Sequence, residues 1–369
     1  MDFSHRKRGV YAAIFLFALS LGGWKLMGVF ELIPFGPFSE RFFWVFLVLL
    51  QAVIFGAVFQ PLTKNKFPKG NDPDVVKEPK LFLKDYETMA GYYPIVALLG
   101  LLGGILLWPF FSTSSVFEIH SAHFWWAAIG TGILNTFLFY FLTKAFRYGD
   151  LSLVSATWAV SPLFVLPISF LIFELIGDAT PLTNPSVSTF GFLGIMLTVG
   201  AVLVNVFVER HSGPVSGAPA GDWFANHPVL SGLFGMLFAT VALNFDKVAA
   251  DSANPFLSIF IAMSVVSFLT ISMTVLLGSW GRLFYIIKRY WRSFLIVGGV
   301  YGITVLLAYV TLFGENVNYQ GALKRSSAIF GTLYGIYVLG EGINGKAKMS
   351  RILVALSVVA GVLLIAIWG

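Results

Sequence analysis

Long apolar runs without a charge, separated by short polar and basic segments, dominate the 369-residue chain. A helix rising about 1.5 Å per residue needs about 20 mainly apolar residues to cross a bilayer. Ten stretches meet that requirement: 41–62, 93–112, 122–143, 151–173, 187–208, 228–245, 255–277, 293–313, 321–340 and 352–369. An eleventh, 10–30, is interrupted by Lys25. Strands of a membrane barrel are about ten residues long and alternate in polarity, whereas these runs are apolar throughout. The pattern predicts an all-α integral membrane protein.

Composition removes the other classes. Apolar residues make up 57% of the chain and charged residues 11%, against about 25% charged in soluble domains. With 38 Phe and a mean hydropathy of +0.82, the polar shell of a water-soluble fold would run out. A soluble enzyme, a nucleic-acid binder and a disordered chain are excluded. The net charge of +6 is assigned to cytoplasmic loops, where membrane proteins keep Lys and Arg. There is no cysteine, hence no disulfide framework or thiolate site.

Charge also predicts orientation. If the N-terminus is cytoplasmic and all eleven segments span, 19 Lys and Arg fall on the inner side and 4 on the outer, with Lys25 inside a span. That asymmetry places the C-terminus outside. The basic start, the apolar core 10–17 and Ala18-Leu19-Ser20 also fit a secretory signal peptide, although the apolar run continues past Ser20. Either reading leaves the ten later spans in place.

Polar insertions divide the chain. Residues 1–40 hold the basic start and the extra hydrophobic segment, and 63–92 reads as a solvated cytoplasmic loop. The Gly/Pro/Ser-rich stretch 209–227 reads as a linker between five spans (41–208) and five spans (228–369). Two similar halves of odd span number enter the membrane in opposite directions, the inverted-repeat arrangement of many secondary transporters. The fourth span of one half, ATWAVSPLFVLPISFLIFE, ends at Glu174, and its counterpart LKRSSAIFGTLYGIYVLGE ends at Glu341. Each precedes a helix with a central glycine, Gly200 or Gly361.

The runs YFLTKAFRYGDLSLVSATWAVSPLFVLPISFLIFE and LLAYVTLFGENVNYQGALKRSSAIFGTLYGIYVLGE resemble EamA-type permeases of the drug/metabolite transporter superfamily, over 122–208 and 293–369. The resemblance implies two inverted repeats of five transmembrane helices around a cavity, carrying small organic solutes by alternating access. The extra N-terminal segment and the outward C-terminus depart from the family's usual layout.

Candidate site residues follow from polar groups at membrane depth. The charge-free part of the ninth run, 326–340, has 15 residues, so a spanning helix takes Lys324 and Arg325 about a turn inside the boundary. Charge at depth costs about 2.5 kcal/mol or more and marks pathways, unless both side chains snorkel to headgroups. The resemblance adds that a similar Lys-Arg pair contacts phosphate in the triose-phosphate branch. Asp246, with Asn244 and Lys247 at the end of a span, is the candidate protonatable coupling group, or else part of a locally paired helix end. Asn135, Thr136 and Tyr140, then Ser155, Trp158 and Ser161, then Tyr301, Thr304 and Tyr309 lie at helical spacings that suit a wet cavity or helix packing. Glu174 and Glu341 oppose the dipole at helix C-termini and need local compensation. The five histidines show no metal-ligand spacing, and no catalytic residue or cofactor is expected.

The expected function is a multi-pass permease of the cell membrane that moves a small organic metabolite, and not an enzyme. The alternatives are a carrier of phosphorylated or lipid-linked anions, and a non-transporting scaffold docking through 63–92. Expected partners are a small-molecule solute and membrane lipids, with a homodimer left open and nucleic acid excluded.

Overall fold

The computed structural model describes residues 46–68, 73–107, 115–157, 188–210, 221–312, 327–341 and 345–368, with the single positions Pro109, Phe164, Ile168, Leu171 and Lys324. The extra segment 1–40 and the candidates Trp158, Ser161, Glu174 and Arg325 lie outside these residues.

Among the described residues the helices longer than five residues, in chain order, are α1 (Phe46–Lys66), α2 (Asp85–Leu107), α3 (His123–Tyr148), α4 (Leu151–Thr157) and α5 (Thr189–Arg210). Then come α6 (Pro228–Ser252), α7 (Pro255–Leu277), α8 (Trp280–Leu312), α9 (Ser327–Tyr337) and α10 (Gly345–Trp368). Six of them, α1 to α3 and α6 to α8, are long and apolar enough to cross a membrane. No strand occurs among the described residues beyond an isolated bridge between Ile119 and Ala253. The chain is an all-α, multi-pass membrane protein.

Local chemistry sets several boundaries. Asn254 caps α7, its Oδ1 accepting the Phe256 N–H at 2.8 Å, with Pro255 at the first helical position. Pro61 has no backbone N–H to give α1, and the turns before it, Ile54–Phe59, widen into a π-helix.

Two expected loops are revised. The polar segment 278–292, which separates the predicted spans 255–277 and 293–313, is not a loop: from Trp280 on it belongs to α8, one continuous helix of 33 residues. Backbone hydrogen bonding within a helix is indifferent to the membrane boundary, so Lys288, Arg289 and Arg292 ride on its extension. The segment 63–92 is not wholly solvated either. Its two ends are helical in α1 and α2, and its centre is bound back onto the helix ends as described below.

α3 packs most extensively on α6, α2 on α7 and α8, α5 on α10, and α4 on α9, while α1 lies against α8 and α9. Close approach depends on small residues. A Cβ on Gly298 of α8 would stand 2.9 Å from the Tyr92 carbonyl oxygen of α2. At the centre the rings of Phe59, Tyr92, Tyr93, Phe139 and Tyr301 are in mutual contact, Tyr301 lying 4.7 Å from Phe59 and 4.9 Å from Phe139 between ring centroids. These rings are buried and form the floor beneath the site.

A buried polar cavity and an ion-paired end

Above this floor lies a cavity of about 50 Å³. α1 contributes Gln51 and Phe55, α3 contributes Asn135 and Phe139, α6 contributes Asp246, and α8 contributes Tyr301, Thr304 and Tyr309; Lys324 completes the wall. Of the residues singled out from sequence, Asn135, Asp246, Tyr301, Thr304, Tyr309 and Lys324 therefore share one cavity.

Asp246 is its chemical centre. Its Oδ1 accepts hydrogen bonds from the Tyr309 hydroxyl at 2.5 Å and the Thr131 hydroxyl at 2.6 Å. Lys324 is near enough for its charge to act on this carboxylate. Lys247, the other cation considered beside it, pairs instead with Asp251 at 2.9 Å and donates to the Leu312 carbonyl. The Thr131 hydroxyl has one proton and two acceptors within reach, Asp246 Oδ1 and the Ala242 carbonyl at 2.9 Å.

Gln51 was not singled out from sequence. It is fully buried, and neither its amide nitrogen nor its oxygen has a partner among the described residues. A buried polar group without a partner costs about 1–3 kcal/mol, so its place in the cavity wall calls for a reason. The available signal is an amide in the mainly apolar stretch 41–62, which carries a second one at Gln60.

Two candidates stand apart. Asn244 is buried outside the cavity wall, its Nδ2 donating to the Thr240 carbonyl of its own helix at 3.0 Å. Helical rotation explains this, since two residues along a helix turn the side chain by about 200° away from Asp246. Tyr140 lies towards the other end of α3, where the Lys144 ammonium stands 4.6 Å over its ring. Thr136 and Thr304 donate to carbonyls four residues back in their own helices, Gly132 and Val300.

The opposite end of the helices, where the basic loops lie, is organised differently. Just past the end of α9 lies Gly340, whose φ of 72° lets the chain reverse, and the Glu341 N–H closes on the Gly335 carbonyl at 3.0 Å. The reversal aims Glu341 at the start of α4. Its oxygens accept the Leu151 and Ser152 N–H groups at 2.9 and 2.8 Å and pair with Lys64 at 2.7 Å. Burial pushes the Glu341 carboxyl up, but Lys64 and these two N–H groups outweigh it and hold it below the ordinary value of 4.5. The expected compensation is thus the N-terminus of another helix plus a lysine. Nearby, Arg147 is 1% exposed, donates to the Leu83 and Pro68 carbonyls and pairs with Asp85 at 3.4 Å. Arg282 grips both Glu87 oxygens at 2.8 Å and the Lys80 and Phe82 carbonyls. The two arginines strap residues 68 and 80–83 against the helix ends. Lys144 pairs with Asp222 at 2.5 Å, and Arg351 with Asp150 at 3.0 Å.

No group of side chains suited to hold a metal ion occurs among the described residues. No protein-family model matches the chain, and no curated protein matches it. Among solved structures it is similar to a crystal structure described only as that of a protein, at 14% identity. That likeness has a TM-score of 0.52 and covers 88% of this chain and 96% of the other. It shows a shared fold and carries nothing about activity.

Proposed function

We propose that the chain is an EamA-type secondary transporter of the cell membrane. In this reading 41–208 and 228–369 are inverted five-helix repeats that rock about the cavity and move a small organic metabolite, without covalent chemistry. The observation that carries it is the cavity itself, lined from α1 and α3 of one half and α6, α7 and α8 of the other. Helix pairing supports the repeats. Advancing each helix by five turns the α2–α8 contact into α7–α3 and the α1–α9 contact into α6–α4, and returns α2–α7, α4–α9 and α5–α10 to themselves.

Asp246 is the coupling group in this reading. When it is ionised, Thr131 donates to it. When it is protonated, its own O–H donates to Thr131, which then donates to Ala242. Both protonation states keep their hydrogen bonds, which is what a carrier that loads and releases a proton requires. A water needs about 10–15 Å³ of such volume, so a cavity of about 50 Å³ holds a few waters and an organic solute enters by displacement of the walls. Lys324 in the wall favours an acidic solute, the second reading. The scaffold reading has less support, because Arg147 and Arg282 consume much of the loop it would dock through.

The test is thermal stabilisation of the purified chain by a metabolite library at two pH values, repeated on Lys324→Ala and Asp246→Asn. The expected hit is pH-dependent and loses that dependence in Asp246→Asn. If no compound stabilises the native state by mass action, the transporter reading fails.

A further inference from the structure

A second cavity, of about 590 Å³, lies between α1, α8 and α9. Val58, Pro61, Leu62, Ile296, Val300 and Tyr334 give it apolar walls, and Asn65 and Lys66 form its mouth at the basic end. Its volume falls within the about 300–1,000 Å³ of ordinary small-molecule sites. Ile296 is exposed on the outer wall, so the cavity opens sideways, where the membrane would lie.

Lys66 is the cation that lines this mouth, and the cations of the neighbouring helix ends differ in their pairing. Lys64, Lys144, Arg147, Arg282 and Arg351 each pair with a carboxylate. Lys66, Lys288, Arg289 and Arg292 are exposed and make no ion pair among the described residues. Arg289 lies two helical turns, roughly 10 Å, before Ile296 on the same face of α8, and Arg292 lies one turn before it. The ridge is also flanked by the exposed rings of Trp280, Phe284 and Trp291, the side chains that settle at a headgroup boundary.

We propose that this groove binds an anionic phospholipid of the inner leaflet, one acyl chain lying in the cavity and the phosphate held by Lys66 and Arg289. Apolar walls alone would accept any lipid. The unpaired cations at the mouth select a net negative headgroup, because a zwitterionic headgroup brings its own cation to the same place.

The experiment uses the full-length protein in detergent, with thermal unfolding followed after addition of phosphatidylglycerol or phosphatidylcholine at equal molar ratio. Phosphatidylglycerol should raise the midpoint by about 2–4 °C more than phosphatidylcholine. The selective rise should vanish in Lys66→Glu/Arg289→Glu and persist in Lys77→Glu, a charge change in the short helix Pro73–Lys77, which does not line the groove. Equal stabilisation by both lipids, an equal effect of inorganic phosphate, or a selective rise retained in the double variant would overturn the proposal. Should the double variant not fold, native mass spectrometry of the wild-type protein decides. Retention of phosphatidylglycerol over phosphatidylcholine supports the site, and indiscriminate retention rejects it.

Discussion

Glu341 and Asp246 are both carboxylates withdrawn from bulk water, yet their surroundings differ in kind. Glu341 has a lysine and two helix-terminal N–H groups, so its negative charge is fully answered. Asp246 has two hydroxyls on one oxygen, a cavity beside it and, across that cavity, an amide with nothing to bond. The same contrast extends around each. At the basic end, buried cations meet carboxylates and carbonyls and tie loop to helix. In the cavity, the Gln51 amide has no partner among the described residues at either of its polar atoms. Satisfied polar networks rigidify a fold, whereas a cluster left wanting partners is arranged for something that comes and goes.

The sharpest way to break this contrast is at the most buried cation of the basic end. Arg147→Met leaves Asp85 buried without its cation and frees the Leu83 and Pro68 carbonyls. It should cost about 3–5 kcal/mol, read as a loss of unfolding free energy in detergent. A loss below 1 kcal/mol, as for an exposed pair, would mean that the basic end is not structural in this sense.

Glu341→Gln should cost about 1–3 kcal/mol at neutral pH, through the lost charge on its bonds to Lys64, Leu151 and Ser152. Its folded carboxyl lies below the ordinary 4.5, so its stabilisation is present above that value and fades as the pH falls through the folded value. The gap between wild type and variant should therefore close on acidification below 4.5. A gap that stays constant with pH would contradict the assignment.

Gln51→Leu should go the other way. Removing a buried amide without partners should leave stability unchanged or raise it by about 1 kcal/mol, while abolishing solute-induced stabilisation. A clear loss of stability with binding intact would move Gln51 to the structural side of the comparison. Thr304→Val, which deletes only a bond to the Val300 carbonyl of its own helix, should fall within about 0.5 kcal/mol by the same unfolding assay.

Much of the helical frame was legible because hydropathy and charge act locally. The apolar runs at 122–143, 228–245 and 255–277 lie within α3, α6 and α7. Hydropathy alone starts the span of α8 at 293, because Arg282, Lys288, Arg289 and Arg292 lower it without interrupting the backbone of that helix. Part of the site was legible for a related reason: Asn135, Asp246, Tyr301, Tyr309 and Lys324 are polar where an apolar residue would be cheaper. Gln51 satisfies the same criterion, but it shares its apolar stretch with a second amide, Gln60, and hydropathy alone does not separate the two.

The sequence by itself determined the membrane class and the placement of several long helices, since both follow from the transfer of local groups between water and hydrocarbon. Only the tertiary structure decided which polar groups meet. Residues 51, 246 and 324 come from three distant elements, and their convergence depends on helix pairing and rotation, as the separation of Asn244 from Asp246 on one helix shows. It also decided the fate of Glu341, a carboxylate unfavourable at the end of its own helix. The reversal at Gly340 carries it to the start of another, where the dipole and Lys64 change the sign of its contribution.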